Sequence, residues 1–230
     1  MMPRSAAVLT PKAGLRTAAF FDMDRTLLRC NTGTRWLQHL RKRNEISLWK
    51  ALRAATWLAR YKLSLLDMEA VTTIAVMDLK GSPEGALLEK TRDWLHAEIL
   101  AEVAPRAREA VARHRAEGHL MAILSTSTPY VAEPLAAHLG IEHVLCTRLV
   151  VENGNFSGRH VAPACYGAGK VHWAERFAAE HGVDLSASWF YTDSYSDLPM
   201  LERVGVPKVV NPDTRLRRHA SKMGWPIELW

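Results

Sequence analysis

Residues 19–28 read AFFDMDRTLL, an apolar run that ends in two carboxylates one residue apart. The apolar run predicts a buried strand, and side chains two positions apart lie on the same face of a strand. An unbroken strand would therefore place Asp22 and Asp24 side by side, where two carboxylates repel each other unless a cation lies between them or one holds a proton. This pattern indicates an active site. The alternative is a strand end at which the two aspartates cap a turn.

The composition is that of a globular protein and sets broad limits on its partners. Of the 230 residues, 48% are hydrophobic and 23% are charged, values usual for a soluble chain that forms one large domain or one domain with an insert. The net charge of +6 favours anionic partners such as phosphorylated compounds. Basic and acidic residues are interleaved, and the tight basic cluster at residues 41–43 is interpreted as a solvated helix end, so we expect no nucleic-acid partner.

Targeting and cysteine patterns favour a cytoplasmic protein. Residues 1–17 lack a continuous apolar signal-peptide core, and no apolar run reaches the roughly 18 residues of a membrane span. The three cysteines are far apart in the sequence and odd in number, which is typical of a reduced protein without disulfides.

Beyond its first strand the chain has two kinds of pattern. From about residue 34 to 103 the apolar residues recur with helical periodicity, which predicts about four helices. From residue 105 onward strands and helices alternate, which is typical of a mostly parallel sheet with helices on both faces. We therefore expect a Rossmann-like α/β core formed by residues 1–32 and 104–230, with an all-helical insert at residues 33–103.

Polar residues fall at the carboxyl ends of the predicted strands, where ligands of open parallel sheets bind. They are Asp22 and Asp24 after the first strand, Ser125 after the second, Asp193 and Asp197 after a later one, and Lys170 at the start of the helix before it. Each has an ordinary alternative: Ser125 as a helix cap, Lys170 as a solvated lysine, and Asp197 as an N-terminal helix acid. The order of the whole set, rather than any one residue, indicates a site.

The motifs at residues 22–26 (DMDRT) and 193–197 (DSYSD), together with Ser125 and Lys170, resemble the four motifs of the haloacid dehalogenase-like hydrolases. The resemblance is to subfamily IB in particular, the branch that contains phosphoserine phosphatase, and it covers nearly the whole chain after Thr17. It implies that the chain is a phosphatase and that the helical insert is a cap domain.

The resemblance also implies a role for each motif residue. Asp22 would attack phosphorus and form an aspartyl-phosphate, and Asp24 would act first as general acid and then as general base. Mg²⁺ would be held by the Asp22 side chain, the Asp24 backbone carbonyl and Asp193. Ser125 and Lys170 would bind the phosphoryl oxygens.

Four further residues are expected to assist. Thr26 and Asp197 would support the site, Asp197 by ordering Lys170 or a metal-bound water. Asn31 and Arg35 would face a small phosphorylated substrate. Phosphoserine phosphatases carry an acidic residue at the position of Asn31, so phosphoserine is disfavoured here because its ammonium group would lack a charged partner.

Two other positions depart from the family pattern. Arg25 stands where small or varied residues are usual, and we expect its side chain to point away from the nucleophile. Thr192 stands where a glycine often precedes the final motif, and we expect it to crowd the metal loop slightly.

Three functions remain open on the sequence alone. The first is Mg²⁺-dependent hydrolysis of a small-molecule phosphomonoester. The second is a phosphotransferase or phosphomutase reaction in which a hydroxyl replaces water, and the third is a catalytically silent phosphate-binding protein. The basic, tryptophan-bearing helix predicted at residues 48–60 is expected to pack within the cap, and docking to a membrane surface is the alternative.

Overall fold

A computed structural model describes residues 10–46 and 68–230 and shows a six-stranded parallel sheet beside a separate two-stranded hairpin. The strands are β1 (Ala18–Phe21), β2 (Leu120–Ser125), β3 (His143–Cys146), β4 (Leu149–Glu152), β5 (Asn155–His160), β6 (Trp189–Thr192), β7 (Val206–Val210) and β8 (Ile227–Glu228). The order in the main sheet is β3-β2-β1-β6-β7-β8, and β4 pairs with β5 in the antiparallel hairpin. Strand β1 therefore lies inside the sheet, between β2 and β6.

Helices alternate with the strands of the main sheet as the sequence predicts. Between β1 and β2 lie α1 (Thr32–Lys42), α2 (Met68–Met77) and α3 (Glu84–Trp94), followed by helical turns at Leu95–Ile99 and Leu100–Glu102. The later helices are α4 (Pro105–Ala116), α5 (Pro129–Leu139), α6 (Ala168–His181), α7 (Leu198–Arg203) and α8 (Thr214–Met223). The assignment of residues 33–103 to a separate cap domain remains a prediction. The basic helix predicted at residues 48–60 lies outside the described residues.

Alternate residues of β1 enter two different hydrophobic clusters. Ala19 and Phe21 pack with residues of α4 and α5 on one face of the sheet. Ala18 and Phe20 pack with residues of α6, α7 and α8 on the other face. All four side chains are fully buried, as expected for a strand covered on both sides. The predicted Rossmann-like architecture is thus confirmed.

The hairpin is bound to the segment that precedes α3. Its turn at residues 153–154, which Asn-Gly predicts, has φ angles of 51° and 77°. The Ser82-Pro83 pair predicts a serine cap with proline in the first helical turn, but Pro83 itself is the N-cap of α3. Pro83 forms a β-bridge with Asn155, and the Ser82 carbonyl accepts a hydrogen bond from the Phe156 N–H. These contacts hold the chain extended for one residue longer than expected.

The three cysteines, Cys30, Cys146 and Cys165, are free thiols in this structure. Burial raises the pKa of the Cys146 thiol to about 12, so this group is protonated at neutral pH and is a poor nucleophile. Within the part of the chain that the structure describes, no helix combines the length and the apolar character needed to cross a membrane.

Candidate active site

The two aspartates of the first motif lie on a tight loop rather than on a strand. Strand β1 ends at Phe21, earlier than the sequence predicts, and Asp22 continues extended with its N–H donating to the Tyr191 carbonyl at 2.8 Å. The chain then turns, and Arg25 adopts a left-handed conformation with φ of 57°. The expectation that Asp22 and Asp24 share one face of an unbroken strand is therefore wrong. The loop brings both to the carboxyl end of β1 by a different route.

Lys170 connects the first motif to the last. It lies in the first turn of α6 with only 1% of its surface exposed. Its Nζ donates hydrogen bonds to Asp22 Oδ1 and to Asp197 Oδ2, each at 2.7 Å. Burial alone lowers the pKa of Lys170, but the charges of the two carboxylates outweigh burial and leave this pKa above its ordinary value. Lys170 is thus a buried ammonium and not a solvated helix lysine.

Gly169 allows the start of α6 to approach the segment that precedes the helix. A Cβ atom at this position would lie 2.0 Å from the Ala164 carbonyl oxygen, closer than any side chain tolerates. The absence of a side chain at Gly169 therefore fixes where Lys170 enters the site.

Thr192, the last residue of β6, orients the second carboxylate that contacts Lys170. Its Oγ1 donates to Asp197 Oδ2 at 2.7 Å and accepts from the Ser194 N–H at 3.1 Å. Thr192 and Asp197 are both buried. Sequence reasoning missed this contact, because a strand-end threonine carries no signal that specifies its hydrogen-bond acceptor.

Ser125 ends strand β2 beside the first motif. It is buried, and its Oγ accepts a hydrogen bond from the Ser127 N–H at 3.2 Å. The N-cap of the following helix α5 is Thr128, so Ser125 is not the helix cap of the alternative interpretation. Strands β1 and β2 are parallel neighbours, Ser125 is the last residue of β2, and Asp22 directly follows β1. Both residues therefore lie at the carboxyl edge of the sheet.

The Asn31 side chain is hydrogen-bonded to Asp24 and to the first turn of α1. Its Nδ2 donates to Asp24 Oδ2 at 2.8 Å, and its Oδ1 caps the first turn of α1. The Thr32 N–H donates to Asp24 Oδ1 at 2.9 Å. Arg35, the other expected substrate residue, forms an ion pair with Glu102 at 2.9 Å. A substrate contact by Asn31 or Arg35 remains a prediction.

Thr26 lies in the loop of the first motif and is fully buried. Its Oγ1 has no hydrogen-bond partner among the described residues. The supporting role expected of Thr26 remains a prediction.

The site carries more negative charge than its lysine neutralises. Burial raises the pKa of Asp22 to about 7, although the charge of Lys170 opposes the change. Burial also raises the pKa of Asp24 and, with the charges of Asp22 and Asp197, that of Asp193. A divalent cation would relieve this excess charge, and carboxylate and carbonyl oxygens are the ligands that Mg²⁺ prefers, so the residues present fit this ion.

At this edge of the sheet the Lys170 ammonium, which can bind an anion, lies 2.7 Å from the Asp22 carboxylate, which can act as a nucleophile. The fold and site define an α/β phosphatase. The chain belongs to the haloacid dehalogenase-like hydrolase family, whose model matches residues 19–202. The matched region includes Asp22, Ser125, Lys170 and Asp193, and the resemblance inferred from the motifs is confirmed.

Two curated relatives and one crystal structure are similar to this chain over most of its length. A phosphoserine phosphatase from Mycobacterium tuberculosis is 33% identical over 94% of this chain and 72% of its own length. A histidinol-phosphatase from Neisseria meningitidis is 26% identical over 93% of this chain and 98% of its own length. A protein of unknown function from Bordetella pertussis has a TM-score of 0.84 at 27% identity, covering 93% of this chain and 98% of that one. The two relatives with named activities are phosphatases of different phosphomonoesters.

Proposed function

We propose that the site hydrolyses a small phosphomonoester through an aspartyl-phosphate formed on Asp22. The observation that carries this proposal is the position of the Asp22 carboxylate, which is buried at the end of β1 with Oδ1 at 2.7 Å from Lys170 Nζ. The charge of Lys170 and its hydrogen bond to Oδ1 favour the ionised carboxylate, although burial raises the pKa of Asp22 to about 7. One oxygen is thus held while the other attacks phosphorus, and the ester oxygen leaves as the new bond forms.

Asp24 is the proposed general acid and base. Its two oxygens are fixed by the Asn31 amide and the Thr32 N–H. Partial burial raises the pKa of Asp24, which favours the protonated form that a general acid needs. Asp24 would protonate the leaving alkoxide and then accept a proton from the water that hydrolyses the intermediate. Asn31 is accordingly a positioning residue for Asp24 in this proposal.

Mg²⁺ would be held by the Asp22 side chain, the Asp24 backbone carbonyl and Asp193. When bound, the ion supplies positive charge that reduces the repulsion between an anionic nucleophile and an anionic phosphate. The Ser125 hydroxyl and the Lys170 ammonium would bind phosphoryl oxygens, each by donating a hydrogen bond.

The substrate proposed is a small phosphorylated metabolite, and O-phosphoserine is not expected to be the best one. Asn31 is neutral, and both its amide nitrogen and its amide oxygen are already hydrogen-bonded. The histidinol-phosphatase relative matches this chain over 98% of its own length, so histidinol phosphate belongs in the panel that is tested.

The test is phosphate release from O-phosphoserine, histidinol phosphate, sugar phosphates and an aryl phosphate, with Mg²⁺ and with EDTA. Wild type is compared with Asp22→Asn and with Asp93→Asn, a control at a carboxylate whose side chain is 77% exposed. We expect wild type and the control to release phosphate only with Mg²⁺, and Asp22→Asn to be at least ~10³-fold slower.

Different results of this test would contradict the nucleophile, the metal ion and the hydrolytic reaction. Turnover retained in Asp22→Asn contradicts the nucleophile assignment, and turnover unaffected by EDTA contradicts the metal assignment. Transfer of the phosphoryl group to an added sugar in preference to water would favour the phosphotransferase reaction over hydrolysis.

A further inference from the structure

A second cluster of potential metal ligands lies at the opposite edge of the sheet. His114 is in the last turn of α4, Glu117 is the C-cap of that helix, and His119 directly precedes β2. The six residues of β2 lead from this cluster to Ser125. At about 3.3 Å per strand residue, the cluster lies roughly 20 Å from the phosphatase site.

Three side-chain atoms converge in this cluster. His114 Nδ1 lies 2.8 Å from His119 Nδ1. Glu117 Oε2 lies 3.2 Å from His119 Nδ1 and 3.9 Å from His114 Nδ1. A tetrahedral Zn²⁺ with bonds of about 2.0–2.2 Å to nitrogen and oxygen separates its ligand atoms by about 3.3–3.6 Å. Two of the observed separations are shorter than this range and one is longer, so side-chain movements of a few tenths of an ångström would bring the three atoms to it.

Both imidazole rings are held by contacts on their other sides. His114 Nε2 lies 2.8 Å from the Tyr191 hydroxyl, which also accepts a hydrogen bond from Arg113 at 2.9 Å. The His119 ring stacks on Trp189 with centroids 4.7 Å apart. Histidines that bind metals usually donate their second ring N–H to a fixed partner, which sets the ring orientation. Tyr191 gives His114 such a partner.

The surroundings favour neutral imidazoles, which is the form that binds a metal. Burial, with the positive charges of His119, Arg113 and Lys208, lowers the pKa of His114 to about 3. Burial also lowers the pKa of His119, although Glu117 opposes the change. Arg113 and Lys208 would repel a cation, but Lys208 is already in an ion pair. Glu117 and the carbonyl end of α4 supply negative charge at the cluster.

We propose that His114 Nδ1, His119 Nδ1 and Glu117 Oε2 form a binding site for a transition metal ion, with Zn²⁺ as the fitting ion. The Glu117 side chain is 46% exposed, so the fourth coordination position opens to water. Binding would require the ring that carries its proton on Nδ1 to take the Nε2–H tautomer, so that proton moves to Nε2 of the same ring and both imidazoles stay neutral. The ion would join the end of α4 to the start of β2 across the turn at Gly118, and would stabilise the folded chain by mass action.

The test is a titration of the tag-free, EDTA-treated full chain with Zn²⁺ in the presence of excess Mg²⁺, which is included to occupy the carboxylate site. Calorimetry measures the stoichiometry, thermal denaturation measures the shift in Tm, and X-ray absorption at the zinc edge identifies the ligands. We expect one Zn²⁺ per chain, two imidazole nitrogens bound to it, and a raised Tm.

Three variants locate the bound ion. Glu117→Gln changes a partly exposed side chain and should fold normally, His119→Gln removes a ring ligand, and His138→Gln is a control at an exposed histidine. We expect Zn²⁺ affinity to fall about tenfold or more in the first two variants and to stay unchanged in the control. Equal affinity of wild type and His119→Gln would overturn the proposal. The absence of zinc binding to wild type would also overturn it, leaving the histidine pair as a hydrogen bond only.

Discussion

The Asp197 carboxylate accepts hydrogen bonds from two buried donors, Thr192 Oγ1 and Lys170 Nζ, each at 2.7 Å. Lys170 Nζ also contacts Asp22. The threonine hydroxyl therefore acts on the nucleophile through two intermediate groups: it fixes Asp197, Asp197 fixes the ammonium, and the ammonium fixes one oxygen of Asp22. A glycine at position 192 would leave one Asp197 oxygen with a single donor.

Replacing Thr192 by Val tests this chain of contacts. The change removes the hydroxyl and nearly keeps the volume, so we expect kcat to fall roughly tenfold or more, the order of one hydrogen bond to a charged group. The measurement is steady-state kinetics on the best substrate of the panel, with Tm recorded for each variant. Thr192→Ser restores a hydroxyl and should recover most of the rate. Equal rates for the Val and Ser variants would contradict a positioning role.

Sequence patterns predict which residues reach the site but not how they bond to one another. Strand ends identify Asp22, Ser125 and Asp193, because the alternation of strands and helices fixes which edge of the sheet they share. The bond from Asn31 to Asp24 depends on the loop conformation after β1, in which Arg25 is left-handed. Neither the loop nor its rotamers follow from residue type, so the supporting contacts were not predictable.

At the scale of elements, the start of α6 is fixed by close backbone approach. Gly169 lies against the Ala164 carbonyl, where a Cβ would stand 2.0 Å from the oxygen. The next residue is Lys170, so any displacement of this turn moves the ammonium away from both carboxylates. The glycine is needed here for space, since its φ is not positive.

Gly169→Ala should therefore lower both activity and stability. The added methyl group forces the first turn of α6 away from Ala164, and overpacking of this kind costs about 1–3 kcal/mol. We expect a lower Tm and a larger loss of kcat than the loss of stability alone explains. The matched control is Gly85→Ala in α3, where a Cβ meets nothing within 4 Å and alanine should raise helix stability. A Gly169→Ala variant as stable and active as wild type would show that the turn adapts.

Long elements with clear start and end signals can be predicted from the sequence, whereas very short ones cannot. The helix over 129–139 and its end at Gly140 follow from Thr-Pro and glycine, and the structure has both. Strand β8 has only two residues, too few to show a period, and it is defined by pairing with β7. The cap assignment of residues 33–103 remains a prediction.

At the scale of the whole molecule, His114 links stability to pH. It is 1% exposed and contacts the Tyr191 hydroxyl at the edge of the sheet away from the active site. Burial and neighbouring positive charges lower the pKa of His114 from 6.5 to about 3. The unfolded chain binds the proton below pH about 6.5, whereas the folded chain resists it until about pH 3, so acid favours unfolding across this window.

The free energy of unfolding of the metal-free chain should fall by about 1.4 kcal/mol per pH unit through this histidine as the pH drops from about 6 toward 3. Urea unfolding at several pH values, with EDTA, measures the slope for wild type and for His114→Gln. We expect a shallower slope in His114→Gln and an unchanged slope in His138→Gln, whose side chain is exposed. If the free energy of unfolding varies with pH in the same way in wild type and in His114→Gln, the pH dependence does not come from His114.

The most direct test of the catalytic account is to trap the enzyme during turnover with Mg²⁺ and to reduce any acyl phosphate with borohydride, which converts a phosphorylated aspartate to homoserine. The tryptic peptide of residues 17–25 contains both Asp22 and Asp24, and fragmentation separates them. We expect homoserine at Asp22 only, and only when substrate and Mg²⁺ are both present. A phosphoryl group found on Ser125 or another residue, or an unmodified peptide from enzyme trapped at saturating substrate, would contradict the account.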